Sequence, residues 1–347
     1  MCIRDRAHSD NSVVILAIES SCDDTSAAVI RDGQLLSNHI ANQTVHQKYG
    51  GVVPELASRQ HHLQIIPVID AAMKDAGVSI AELSAVAFTQ GPGLLGSLLV
   101  GCSFAKGLAL SIDKPLIAVN HMEAHVLAHF VEEPRPTFPF LCLTVSGGHT
   151  QIVRVDSVDQ LTVLGTTRDD AAGEAFDKIG KYLELDYPAG PIIDRLAREG
   201  KAVFSFNKPR IEGLGFSFSG LKTSVLYFLR DRLKNDKDFI KDNLHDICAS
   251  VQATIVDILM DKLVKASKQE EITHVGIAGG VSANSALRQA LKEQAGLQNW
   301  QTYVPAIQYC TDNAGMIAMA AHYKYLNKVF VDQDVTPEPR LKMKSVV

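Results

Sequence analysis

One pattern, which occurs twice, constrains the fold more than any other feature of the sequence. From Val13, VVILAIESS has the apolar run of a strand, CDDT is an acidic turn, SAAVI a second strand, RDG a turn and QLLSNHI a third strand. From Phe138 the plan returns: FPFLCLTVS is a strand, GGHT a turn, QIVRV a strand, DSVD a turn and QLTVLG a strand. Helical periodicity follows each triplet, as in PELASRQHHLQIIPVIDAAMKDAG after the first. Repetition on this scale predicts an α/β chain made of two copies of one domain facing each other across a cleft. Chance recurrence of common hairpins is the competing explanation. A length of 347 residues suits two domains, at roughly 150 residues each.

The turns differ between the copies. The first offers the carboxylates Asp23 and Asp24, suited to a metal or a polarised water. The second offers Gly147 and Gly148, whose backbone N–H groups can approach an anion closely. A third element, HVGIAGGVSANSALRQAL (274–291), reads as strand, Gly-Gly turn and helix, with Ser282 as N-cap and Asn284 in the first turn.

Composition sets limits on function. A formal net charge of −5 gives no overall basic field, so nucleic-acid binding would rest on local patches or on partners. The cysteines at 2, 22, 102, 142, 248 and 310 include no CxxC pair and read as reduced thiols of a cytosolic protein. MCIRDRAHSDN, at the start, lacks the apolar run of a signal peptide and is expected to be a disordered or non-native extension. GLLGSLLVGCSFAKGLAL (93–110), with four glycines and Lys106, is read as a buried helix and not a membrane span.

NHMEAH (120–125) carries the chemistry. Asn120 is a good N-cap, and His121 and His125, four apart, share one helix face and can reach one ion. His129 reads as surface or core. In HExxH proteases the glutamate follows the first histidine, about 100° round the helix; Glu123 is about 200° round and faces away from an ion held by the pair. A carboxylate would complete a site for Fe(II) or Zn(II), and spacing alone cannot choose it among 39 acidic residues. Asp312 in YCTDNAGMIAMAAHY is the leading candidate, and it fits an N-cap as well as a ligand. Ser146 sits in a turn without an arguable His/Asp partner, His149 fits a base or a structural residue, and Lys222 fits a phosphate contact or a solvated lysine. No residue is expected to act as a covalent nucleophile.

IESSCDDTSAAV, YGGVVPELASRQH, GPGLLGSLLVG, NHMEAH, LTVSGGHTQIV, DDAAGEAFDKIGK, FSFSGLKTS, AGGVSAN and YCTDNAGMIA together closely resemble the tRNA N6-adenosine threonylcarbamoyltransferases in their bacterial form, from about Val13 to about Tyr325. The resemblance implies the duplicated actin-like fold (the ASKHA, RNase H-like class). It implies residues 1–12 as the extension, 13–135 as an N-terminal domain completed by a helix at about 312–327, 136–311 as a C-terminal domain, and 328–347 as a tail. It implies transfer of a threonylcarbamoyl group from threonylcarbamoyl-AMP to N6 of the adenosine beside the anticodon, in tRNAs reading codons that start with A.

The same resemblance implies one divalent metal, iron(II) with zinc(II) as the alternative, on His121, His125 and Asp312. It implies an adenylate or ATP-type nucleotide in the cleft, held by Thr144, Val145, Ser146, Gly147, Gly148, Asp177, Gly190, Asp194 and Asn284. This chain has Ala189-Gly190 where the family often has Gly-Gly, and Asp23-Asp24 where it often has Asp-Glu, so a role given to that glutamate does not pass directly to Asp24. The implied partners are tRNA, a smaller actin-like paralogue forming a heterodimer, and a P-loop ATPase, in the cytoplasm and away from membranes. A metal-dependent glycoprotease and a non-catalytic ATP-binding scaffold are the competing readings.

Overall fold

A computed structural model describes residues 12–209 and 211–343. The expected extension at 1–12, save Ser12, and the last four residues of the expected tail lie outside the described residues. The chain divides into two compact units, 12–43, 54–127 and 313–342 against 44–53, 128–312 and 343.

In the first unit β1 (Val14–Glu19), β2 (Thr25–Arg31) and β3 (Gln34–Ala41) occupy the first strand triplet. Helix α1 (Pro54–Ala76), β4 (Ala85–Gly91), α2 (Leu95–Ser111), β5 (Leu116–Asn120) and the short α3 (His121–Leu127) follow. The sheet order is β3-β2-β1-β4-β5. β1 pairs antiparallel with β2 and parallel with β4, and β4 pairs parallel with β5. Residues alternate across a strand. Val14, Leu16 and Ile18 therefore share a core with Ile65 and Ile69 of α1 and Phe88 of β4. Helix α2 is half-buried rather than buried: its face carrying Leu95, Leu99 and Leu110 is exposed. Lys106 does not leave that helix unpartnered, since its Nζ donates to the Val335 carbonyl.

In the second unit β6 (Phe140–Val145), β7 (Thr150–Ser157) and β8 (Gln160–Thr166) occupy the second triplet. Helices α4 (Ala172–Tyr182), α5 (Ala189–Ala197), α6 (Ser219–Leu233), α7 (Phe239–Asp242) and α8 (Leu244–Glu270) then precede β9 (His274–Ala278). Helix α9 (Ser285–Gln298), β10 (Gln301–Tyr303) and α10 (Ile307–Cys310) complete it. The sheet order read from the far edge is β8-β7-β6-β9-β10, the same topology as in the first unit, with the same antiparallel and parallel pairings.

The chain then returns to the first unit through α11 (Ala314–Leu326), which packs on β1, β2, β3 and α3. Residues 328–342, expected only as a tail, also fasten to this unit. Val331 bridges Leu116, the Glu338 N–H donates to the Gln90 carbonyl at 2.8 Å, and Asn120 Nδ2 donates to the Lys342 carbonyl at 3.1 Å. The five described cysteines are unpaired thiols. Burial pushes the Cys142 and Cys248 thiols up to about 12, which keeps them unreactive. Among the described residues no helix is long and apolar enough to cross a membrane.

Candidate active site

The NHMEAH segment lies where β5 ends. Asn120 caps the helix as its sequence predicts: Oδ1 accepts from the N–H groups of Met122 at 2.9 Å and Glu123 at 3.3 Å. That start fixes the phase of α3. His121 and His125, 7% and 0% exposed, come together with ring centroids 4.7 Å apart and planes nearly perpendicular. His129, two residues beyond the end of α3, is a core residue, 4% exposed and edge-on to Phe140.

Asp312 immediately precedes Asn313. The Asn313 side chain, not that of Asp312, caps α11 by accepting from the Met316 N–H at 3.0 Å. The cap being taken by its neighbour, the Asp312 carboxylate is not needed for that task. One ligand atom from each of His121, His125 and Asp312 lies within 4.8 Å of the others. Two neutral imidazole nitrogens and a carboxylate oxygen form a donor set that fits a divalent cation such as Fe(II) or Zn(II) and leaves positions open for other ligands.

The acidic turn between β1 and β2 is tied down by its surroundings. Ser21 carbonyl accepts from Leu94 N–H at 2.7 Å, and Cys22 carbonyl accepts from Ser97 Oγ at 2.9 Å and faces His61 Nε2 at 3.0 Å. Gly93 has to be glycine here, since a Cβ would fall 2.4 Å from the Ser21 carbonyl oxygen. Asp24 accepts from Asn42 Nδ2 at 3.1 Å.

A cavity of about 450 Å³ lies wholly in the second unit and gathers Gly147, Asp177, Gly190, Asp194 and Asn284. Phe176, Pro188, Pro191 and Val281 supply apolar wall, and Arg198 and Thr311, which the sequence reading did not single out, complete it. Asp177 accepts from the Ala189 N–H at 2.8 Å; burial pushes its carboxyl above the ordinary range, and the backbone donors of Ala189 and Gly190 only partly oppose this. Asp194 accepts from Ser285 Oγ at 2.6 Å and from Arg198 at 2.9 Å. Asn284, not Ser282, is the N-cap of α9: residues 280–283 form a 3-10 turn that delays the helix, and Asn284 Oδ1 accepts from Leu287 N–H at 3.0 Å while Nδ2 donates to Gln252 at 2.7 Å.

The remaining predicted contacts are placed differently. Thr144 and Val145 are fully buried in β6. Ser146 closes the turn, its N–H donating to the His149 carbonyl at 2.8 Å and its Oγ accepting from the His149 N–H at 3.1 Å. Gly148 is exposed on that turn outside the cavity wall. A Cβ built on Gly147 or Gly148 meets nothing within 4 Å, so internal packing does not account for glycine at either position. Lys222, partly exposed, pairs with Asp170 at 3.2 Å, and Lys178 meets the same carboxylate at 2.7 Å.

Two mixed sheets of like order, each with its two hairpins and its two parallel crossovers, define an actin-like α/β protein. Solved structures agree at the level of the fold. HypF from T. kodakarensis superposes with a TM-score of 0.63 at 12% identity, covering 93% of this chain and 49% of that one. Component A of the Acidaminococcus fermentans (R)-2-hydroxyglutaryl-CoA dehydratase superposes with a TM-score of 0.53 at 15% identity, covering 91% of this chain and 98% of that one. The family model TsaD, tRNA N6-adenosine threonylcarbamoyltransferase, matches residues 34–319. The tRNA N6-adenosine threonylcarbamoyltransferase of Christiangramia forsetii is 57% identical over 338 residues, 96% of this chain and 99% of that protein. That of Phocaeicola vulgatus is 58% identical over 327 residues, 92% of this chain and 96% of that protein. The chain belongs to the tRNA N6-adenosine threonylcarbamoyltransferase family, and is a transferase that modifies tRNA.

Proposed function

We propose that the donor is threonylcarbamoyl-AMP and that the acceptor is the adenosine beside the anticodon, in tRNAs reading codons that start with A. The observation that carries this reading is a single peptide bond. It joins Thr311, in the wall of a cavity sized for a nucleotide, to Asp312, in the His121/His125/Asp312 cluster. A nucleotide site and a cation site linked in this way suit an adenylate whose acyl end reaches the cation.

His121, His125 and Asp312 would hold a divalent cation, iron(II) or zinc(II), which when bound would supply Lewis-acid polarisation worth several kcal/mol. The chain's own groups do the rest. Gly147, in the cavity wall, would offer its backbone N–H group to anionic oxygens of the donor, and Gly148 leaves the same turn open beside it. Asp177 and Asp194 keep acceptor capacity beyond their internal bonds and suit ribose hydroxyls. Phe176, Pro188 and Val281 exclude water from the base. Adenine N6 is a weak nucleophile, its lone pair shared with the ring; as it forms the new C–N bond, the carbonyl–phosphate bond breaks, AMP leaves and N6 loses a proton. Ser146 Oγ accepts from the His149 N–H within its turn, and on this reading it has no nucleophilic role.

We further propose a smaller actin-like paralogue as heterodimer partner, docking on the exposed apolar face of Leu63 and Ile66 on α1 and Leu95 and Leu99 on α2. A P-loop ATPase would complete the assembly in the cytoplasm. Mass spectrometry of tRNA nucleosides, after incubation with threonylcarbamoyl-AMP, the chain and candidate partners, tests the reading. Threonylcarbamoyladenosine should form with metal-loaded protein and fall at least about a hundredfold on metal removal or in His121→Ala. Undiminished product in the metal-free protein would sink it.

A further inference from the structure

Glu19 ends β1 and is 0% exposed, and the sequence reading passed over it as part of an apolar strand. Its carboxylate is surrounded by donors. One oxygen accepts from the Ser21 N–H, and the other accepts from Thr89 Oγ1 at 2.6 Å and lies 3.0 Å from His121 Nδ1. The Ser21 hydroxyl is 3.2 Å from the same ring nitrogen. An ionised carboxylate only accepts, so the ring nitrogen facing it carries the proton. A neutral imidazole protonated at Nδ1 has its lone pair at Nε2. Burying a carboxylate is costly unless it is hydrogen-bonded, and the groups around Glu19 come from the turn after β1, from β4 and from α3.

We infer that Glu19 is a positioning residue that fixes His121 in the Nδ1–H tautomer and thereby turns the Nε2 lone pair toward the cation. The inference rests on the reading of His121, His125 and Asp312 as the cation site. Removing a carboxylate that orients a ligating histidine costs typically about ten- to a hundredfold in metal affinity. In Glu19→Gln the amide oxygen can still serve the Ser21 N–H. Its NH2 group then faces His121 Nδ1 and favours the opposite tautomer, with the proton on the nitrogen that should bind metal. Thr89→Val is the matched control, since it removes a bond to Glu19 and leaves the carboxylate–imidazole contact in place.

The test is chelator competition for Co(II) and Zn(II) by the metal-free full-length chain, its Glu19→Gln and Thr89→Val variants and His121→Ala. Metal-free melting temperatures report the fold. Affinity should fall about ten- to a hundredfold in Glu19→Gln, with an altered Co(II) d–d spectrum, and fall far less in Thr89→Val. A folded Glu19→Gln that binds as tightly as the unaltered chain overturns the inference while leaving the cation site standing. If His121→Ala binds as tightly as the unaltered chain, the site itself is wrong and Glu19's role goes with it. Where Glu19→Gln does not fold, long-range 15N–1H spectra of the unaltered metal-free chain at mildly alkaline pH decide: a proton on Nδ1 of His121 is expected, and a proton on Nε2 overturns the inference.

Discussion

The turn after β1 and the turn after β6 occupy the same place in the same topology and have become opposites. The first, residues 20–24, follows the buried carboxylate of Glu19, carries Asp23 and Asp24, and is clamped by Leu94, Ser97 and His61. The second, residues 146–149, carries no carboxylate, and its glycines face open space. Glycine even stands in contrary settings in the two units: Gly93 is small so that protein can touch the first turn, whereas a Cβ on Gly147 would meet nothing within 4 Å. The same scaffold occurs twice, and the two units differ at this hairpin, with carboxylates held by internal bonds in one and an open glycine turn in the other.

Side chains added at the two glycines put this contrast to its harshest trial. Gly147→Ala should leave the melting temperature nearly unchanged, because no atom stands within 4 Å of the new Cβ. It should nonetheless cut tRNA modification by about a hundredfold or more, comparable to the loss of one oxyanion donor. Gly93→Ala should do the reverse in kind: a Cβ 2.4 Å from the Ser21 oxygen forces the first turn to move, at about 1–3 kcal/mol in denaturant unfolding. Equal stability losses at both positions would show that the second turn is a packing element like the first.

Next in size are the two asparagine caps, one in each unit. Asn313→Ala and Asn284→Ala each remove a side-chain acceptor from a helix start, and each should cost about 1–2 kcal/mol in urea unfolding. Each also abandons a second amide, Gln252 for Asn284 and Asn38 for Asn313. An Asn313→Ala chain as stable as the parent would return the capping role to Asp312 and weaken its standing as a ligand.

These caps also show where sequence stops being informative. The strand triplets were legible because apolar runs punctuated by acidic or glycine turns have few other uses, and β1 to β3 and β6 to β8 lie on them. Adjacent cap-forming residues are another matter: Thr311, Asp312 and Asn313 are all plausible caps, and only backbone direction chooses Asn313. At Ser282 and Asn284 a 3-10 turn shifted the helix start beyond what local preference can register. Glu19 was hidden because its importance lies in Thr89 and His121, 70 and 102 residues away. Arg198 was hidden for a different reason: its partner Asp194 is only four residues away, but nothing local shows that the pair lines a cavity. The half-exposed face of α2 escaped notice because its hydrophobicity is nearly uniform around the helix and gives no sign of which side meets solvent.

Acidic pairs sharpen the contrast at its smallest scale. Asp23-Asp24 and Asp169-Asp170 look alike in sequence, yet the second pair is an internal brace. Asp169 accepts from Ser217, Phe218 and Ser219, and Asp170 holds Lys178 and Lys222. Burial alone would raise the Asp170 carboxyl, but the two lysines outweigh it and hold the group below its ordinary value of 3.8. A carboxyl depressed on folding binds protons more weakly in the folded than in the unfolded chain. Its stabilisation is therefore complete above the ordinary value and disappears as the pH falls through the depressed one. Asp170→Asn should thus cost about 1 kcal/mol near neutrality, a small figure because both lysines are partly exposed to solvent. The difference from the parent should shrink in urea unfolding as the pH falls below about 4. A pH-independent difference would mean that Asp170 acts by shape or neutral hydrogen bonding, and that the two acidic pairs are less unlike than their surroundings indicate.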